Sequence, residues 1–91
     1  MPYIKQEDRT KFNSAIDDIV DELTNHNRVE LTSVGNLNYV VSSILWELFR
    51  KKPSYTLGNN LIGVLECVKQ ELYRKLLAEY EDIKEKENGT I

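Results

Sequence analysis

Four carboxylates crowd into the stretch Asp17-Asp18-Ile19-Val20-Asp21-Glu22. Carboxylate oxygens are the hard ligands that magnesium takes, and it takes few of them from protein. Asp18 with Asp21, and Glu22 beside them, supply one pair at a three-residue spacing that a helix keeps on one side. Two such pairs on two helices are what an all-α, metal-dependent nucleotide phosphohydrolase uses. The second pair is the difficulty. Glu66 and Glu71 are five residues apart and diverge on a helix. Glu79 with Asp82 has the right spacing but falls in a highly charged segment expected to fray. Metal chemistry at Asp18, Asp21 and Glu22 is therefore an alternative reading only, since a motif without its context is a weak signal.

Nucleophilic chemistry has less to work with. Cys67 is the only cysteine and His26 the only histidine. A catalytic His needs a nucleophile or an orienting carboxylate in space. His26 sits in the polar turn Asn25-His26-Asn27, and Cys67 adjoins an apolar stripe, where a thiol acts as a small hydrophobe. No catalytic residue and no cofactor are assigned.

The run Gly35-Asn36-Leu37-Asn38-Tyr39 offers binding chemistry instead. Asn36, Asn38 and Tyr39 can present amides and a phenol to a partner. The simpler account is that a helix starts here, where Asn side chains bond local backbone. Asn38 and Tyr39 lie off the apolar stripe of that helix, which keeps a contact role open. Trp46 follows Tyr39 by seven residues and so shares its face, with Ser42 between them. An aromatic face on a helix already apolar on its other side predicts a second contact. Aromatic residues are enriched at interfaces, and a homodimer face fits a chain this small.

These side chains need elements to hold them. Phe12, Ile16, Ile19, Val20 and Leu23 recur at helical spacing, which predicts a first helix over 8–24 behind an N-terminal arm, 1–7. Tyr3 and Ile4 of the arm are expected to dock on the helices. Val29 to Val34 reads as an extended connector, because no second strand exists to pair with it. Leu37, Val40, Val41, Ile44, Leu45, Leu48 and Phe49 predict a second helix over 34–51, capped by Ser33 or Thr32. Arg50-Lys51-Lys52 suits the negative end of its dipole, and Pro53 stops it. Leu61, Val64, Leu65, Val68, Leu72 and Leu76 predict a third and longest helix over 57–84, after a capping site at Ser54-Tyr55-Thr56. Residues 85–91 are expected to fray. The fold class is all-α: a small three-helix bundle forming a single domain.

The third helix carries a polar face of Glu66, Lys69, Gln70, Tyr73 and Arg74. A solvated, salt-bridged surface accounts for it. The sharper reading buries Glu66 or Arg74 at an interface. Gly63, one turn away, costs a helix about 1 kcal/mol relative to Ala and would permit close approach. Ile62 lies off its stripe nearby.

The chain has 91 residues and a net charge of −3, with 41% hydrophobic and 30% charged residues. That fits one small soluble domain with a thin core. The negative balance argues against nucleic-acid coating, and no aromatics interleave Arg50-Lys51-Lys52 to stack bases. One cysteine allows no internal disulfide. No run is long enough for a membrane span. The opening Met1-Pro2-Tyr3-Ile4-Lys5-Gln6-Glu7-Asp8 turns acidic too soon for a signal peptide, so a cytoplasmic setting is expected.

Several motifs recur in order: Pro2-Tyr3-Ile4, Gly35-Asn36-Leu37-Asn38-Tyr39, Ser54-Tyr55, Gly63 with Glu66, Glu71 with Tyr73-Arg74, and the closing Tyr80-Glu81-Asp82, Lys84 and Glu87-Asn88-Gly89. In these the chain resembles a family of small, uncharacterised bacterial and phage proteins over nearly its whole length. It departs from the family pattern at Lys75, Glu79 and Thr90, where Arg, Pro and Asp are frequent. The resemblance implies a self-contained small domain and no particular activity. The sequence thus points to a non-enzymatic interaction or structural domain. Its expected partner is a second copy or another protein, met through Asn36, Asn38, Tyr39, Trp46, Ile62, Gly63, Glu66, Tyr73 and Arg74.

Overall fold

The structure, a computed structural model, describes residues 4–25 and 30–90. It is all-α, as the periodicity requires, with no strand among the described residues. The elements are a short 3₁₀ turn at Gln6–Asp8, α1 (Thr10–Leu23), α2 (Val34–Lys51), α3 (Tyr55–Leu72), a π-helical turn (Tyr73–Leu77) and α4 (Ala78–Asn88). The last three run on without a break, so they form the third and longest helix. The chain divides into two compact units, Met1–Arg50 and Lys51–Ile91.

In the first unit, the arm is held by Arg9. Its guanidinium donates to the Ile4 carbonyl from Nε at 3.0 Å and from Nη2 at 2.8 Å. The Ile4 side chain itself stays half exposed. Tyr3 lies outside the described residues. Helix α1 therefore begins at Thr10, two residues later than the sequence suggests, because Gln6–Asp8 winds as a tighter turn. It ends at Leu23, where Asn25 takes a left-handed φ of 52°. Asn tolerates that conformation better than most residues.

Helix α2 starts where its cap sits. Ser33 Oγ accepts from the Asn36 N–H at 3.0 Å, satisfying one of the unpaired donors of the first turn. Its span of Val34–Lys51 agrees with the reading from the sequence. Thr32 then ties the two helices of this unit together. Its N–H donates to the Leu23 carbonyl at 2.8 Å and its hydroxyl to the same oxygen at 2.9 Å.

In the second unit, Ser54 caps α3 by accepting from the Leu57 N–H at 3.0 Å. The helix starts at Tyr55, earlier than the expected residue 57, and the segment expected to fray from 85 is helical as far as Asn88. The Gly89 N–H closes it on the Glu85 carbonyl at 2.8 Å, at a φ of 84° that glycine adopts without cost.

None of the described residues is fully buried. In the first unit Ile19, Leu23, Val40 and Leu45 are half-buried; in the second Leu57, Leu61, Cys67 and Ala78 are. The rest of each apolar stripe lies open.

Candidate functional site

The carboxylate cluster comes first. Asp18 and Glu22 lie a turn apart on α1 and line a shallow groove of the first unit. Asn36, Tyr39, Ile19, Leu23 and Val40 line it with them. Asp21 is not part of that lining. Among the described residues no group of three or more His, Cys, Asp or Glu side chains is placed to hold a metal ion. Asp18, Asp21 and Glu22 are not drawn together as such a set among the described residues. The fold supplies one helix of carboxylates and sets an amide and a phenol beside it, where a second carboxylate pair is needed. His26 lies outside the described residues. Cys67 is half-buried on α3.

The Asn cluster is occupied with its own helix start. Asn36 Nδ2 donates to Thr32 Oγ1 at 2.9 Å, the same oxygen that bonds Leu23. Asn36 thus props the link between α1 and α2. Asn38 Oδ1 accepts from Ser42 Oγ at 3.4 Å, one turn along. Both amides have local work, as expected of Asn at a helix start.

Tyr39 differs. It is 74% exposed, and Trp46 two turns on is 61% exposed. The two rings share a shallow patch with Ser42, Ser43, Glu47 and Arg50. The structure therefore brings together the aromatic face that spacing suggests. Small serines between the rings leave room for an incoming side chain. Arg50 is drawn to Glu47 at 3.1 Å, which places that cation at the rim of the patch.

On α3, Glu66 accepts from Gln70 at 3.1 Å and pairs with Lys69 at 3.6 Å. Glu71 pairs with Arg74 at 2.7 Å. All are surface pairs, each worth at most about 1 kcal/mol. Neither Glu66 nor Arg74 is buried within the chain. An added Cβ at Gly63 would meet nothing within 4 Å. Ile62 and Tyr73 are exposed.

Sequence reasoning missed two features. One is the Thr32 link. The other is the π-helical turn, in which the Ala78 N–H donates to the Tyr73 carbonyl, five residues back. Such turns occur mostly singly within α-helices and frequently at functional positions. Spacing carried no signal for it: Leu72, Leu76 and Tyr80 step by four and four, but so do Val64, Val68 and Leu72 within regular α3.

Among the described residues, no helix is long and apolar enough to cross a membrane. Comparison with curated proteins gives no match, and neither does comparison with solved structures. A family model described as a domain of unknown function (DUF6899) matches residues 1–91, and the chain belongs to that family.

Proposed function

We propose that this chain is a non-enzymatic interaction domain that self-associates, most simply as a homodimer. The observation that carries the reading is the open apolar surface: not one described residue is fully buried, while every helical stripe is exposed along much of its length. Contiguous open apolar surface of this kind marks interaction sites. Covering each half-open Leu, Val or Ile contributes on the order of 1 kcal/mol. The Tyr39–Trp46 face and the α3 surface around Gly63 and Glu66 are offered to that association. The amides contribute less, since Asn36 and Asn38 are already bonded within the helix start. A lone thiol at Cys67 fits a reducing cytoplasmic setting.

Light scattering behind a sizing column, over a range of loading concentrations, tests this. A dimer mass that persists on dilution is expected. A monomer mass at every concentration would remove the reading.

A further inference from the structure

We propose that the long helix of the second unit pairs with the same helix of a second copy, antiparallel, about a two-fold axis at Gln70. This rests on the self-association reading and adds the face, the direction and the register.

The face is the stripe Val64, Leu65, Val68, Leu72, Leu76, Leu77, Tyr80 and Ile83. Each of these side chains is between 41% and 63% exposed. The stripe runs for about 28 Å at the helical rise. A standard interface takes about 800 Å² from each partner, and eight large half-open side chains offer an area of that order.

The π-helical turn makes this stripe continuous. In a regular α-helix, the two four-residue steps from Leu72 to Tyr80 would carry the stripe about 80° off its face. The wider turn at Tyr73–Leu77 takes up one residue and cancels most of that drift. Tyr80 and Ile83 thereby fall in line with Val68 and Leu72.

The register comes from symmetry. A two-fold interface must be self-complementary. Val68 and Leu72 lie two residues either side of Gln70, Val64 and Leu76 six, and Leu57 and Ile83 thirteen. An antiparallel copy centred at Gln70 sets each of these opposite its counterpart.

The direction comes from charge. Residues 79–87 carry five acids and two lysines, while residues 55–65 carry no charge. Parallel pairing in register would set two acidic segments side by side. Antiparallel pairing separates them and lays each along the uncharged half of the other helix. Lys51 and Lys52, just ahead of α3 in sequence, then come nearest the acidic end of the copy.

The experiment is distance measurement between spin labels on the full chain, with Cys67→Ser as background. The labels go one at a time on Gln70→Cys and Asp82→Cys. Light scattering of the same samples comes first. A dimer is expected, with labels at 70 about 25–30 Å apart, since Gln70 lies on the outer, polar side and two outward labels add to the helix packing distance. Labels at 82 should be farther apart, with about 36 Å of separation along the axis, twice twelve residues of rise. A monomer overturns the self-association reading itself. A dimer with equal distances at both positions overturns the antiparallel direction alone. A dimer with labels at 70 within about 15 Å sets the polar side at the contact and overturns the choice of face. Should Asp82→Cys unfold, Lys86→Cys carries the same test, with about 48 Å of axial separation expected.

Discussion

Thr32 grips the carbonyl of Leu23 twice, with its N–H at 2.8 Å and its hydroxyl at 2.9 Å. That carbonyl belongs to the last turn of α1, where helix geometry leaves it without an intrahelical donor. The hydroxyl also accepts from Asn36, so one oxygen connects the end of α1 to the start of α2. Thr32→Val keeps the shape and the N–H bond but removes both hydroxyl contacts. It should destabilise the chain by about 1 kcal/mol, as solvent-accessible hydrogen bonds of this kind contribute. Thr32→Ser should recover most of that. Denaturant titration of the two variants decides it; equal midpoints for Val and Ser would show that the hydroxyl contributes nothing.

The Tyr39–Trp46 face yields a second prediction. Interface aromatics in a packed patch commonly cost 1–2 kcal/mol or more when truncated, by the usual order of magnitude. Trp46→Ala should therefore weaken self-association about tenfold, visible as dissociation at higher concentration. Glu47→Ala, which breaks an exposed pair with Arg50, should change it little. A dimer constant indifferent to Trp46 would confine the interface to the second unit.

Gly63 gives a prediction about the other side of α3. No atom lies within 4 Å of an added Cβ there, so Ala fits without displacement. Gly63→Ala should raise helix stability by about 1 kcal/mol. A thermal midpoint that falls instead would mean that another backbone packs against this glycine.

How much of this could be read in the sequence depends on how local the cause is. The ends of α2 were legible because Ser33, Lys51 and Pro53 act on their immediate neighbours. The end of α1 was legible through Asn25 for the same reason. The clamp of Thr32 on Leu23 was not. It depends on how the chain closes over a separation of nine positions, and nothing at either position announces the other. The aromatic face at Tyr39 and Trp46 followed from spacing alone. For Asp18, Asp21 and Glu22, periodicity says which face carboxylates share, and cannot say what the fold sets opposite them. The same gap separates knowing that a stripe is apolar from knowing what covers it.

The acidic run on α1 is better understood as an electrostatic burden. Asp17, Asp18 and Asp21 occupy the later part of the helix, whose last turn holds no basic residue. Negative charge there opposes the helix dipole, and Asp17 with Asp21 repel at one turn's spacing. Asp21→Lys should stabilise the chain by about 0.5 kcal/mol, and the gain should shrink as salt screens it. Millimolar magnesium should leave the melting temperature unchanged, since no three ligands converge among the described residues. A magnesium-dependent rise that Asp18→Asn abolishes would restore the metal reading.

The π-helical turn can be tested by shortening it. A turn with five-residue bonds is an α-helix holding one extra residue. Deleting Lys75 should return Tyr73–Leu77 to α geometry. Leu76, Leu77, Tyr80 and Ile83 would then fall three, four, seven and ten residues after Leu72, which is α-helical spacing on the same face. The deletion should therefore preserve helical circular dichroism and self-association together. Inserting one Ala at the same place should keep the helix but rotate the distal stripe by about 100°. Self-association should then fall sharply. If the insertion associates as well as the parent chain, Tyr80 and Ile83 take no part in the contact, and the turn is a local accommodation of Leu76 and Leu77 rather than a device for keeping one face in line.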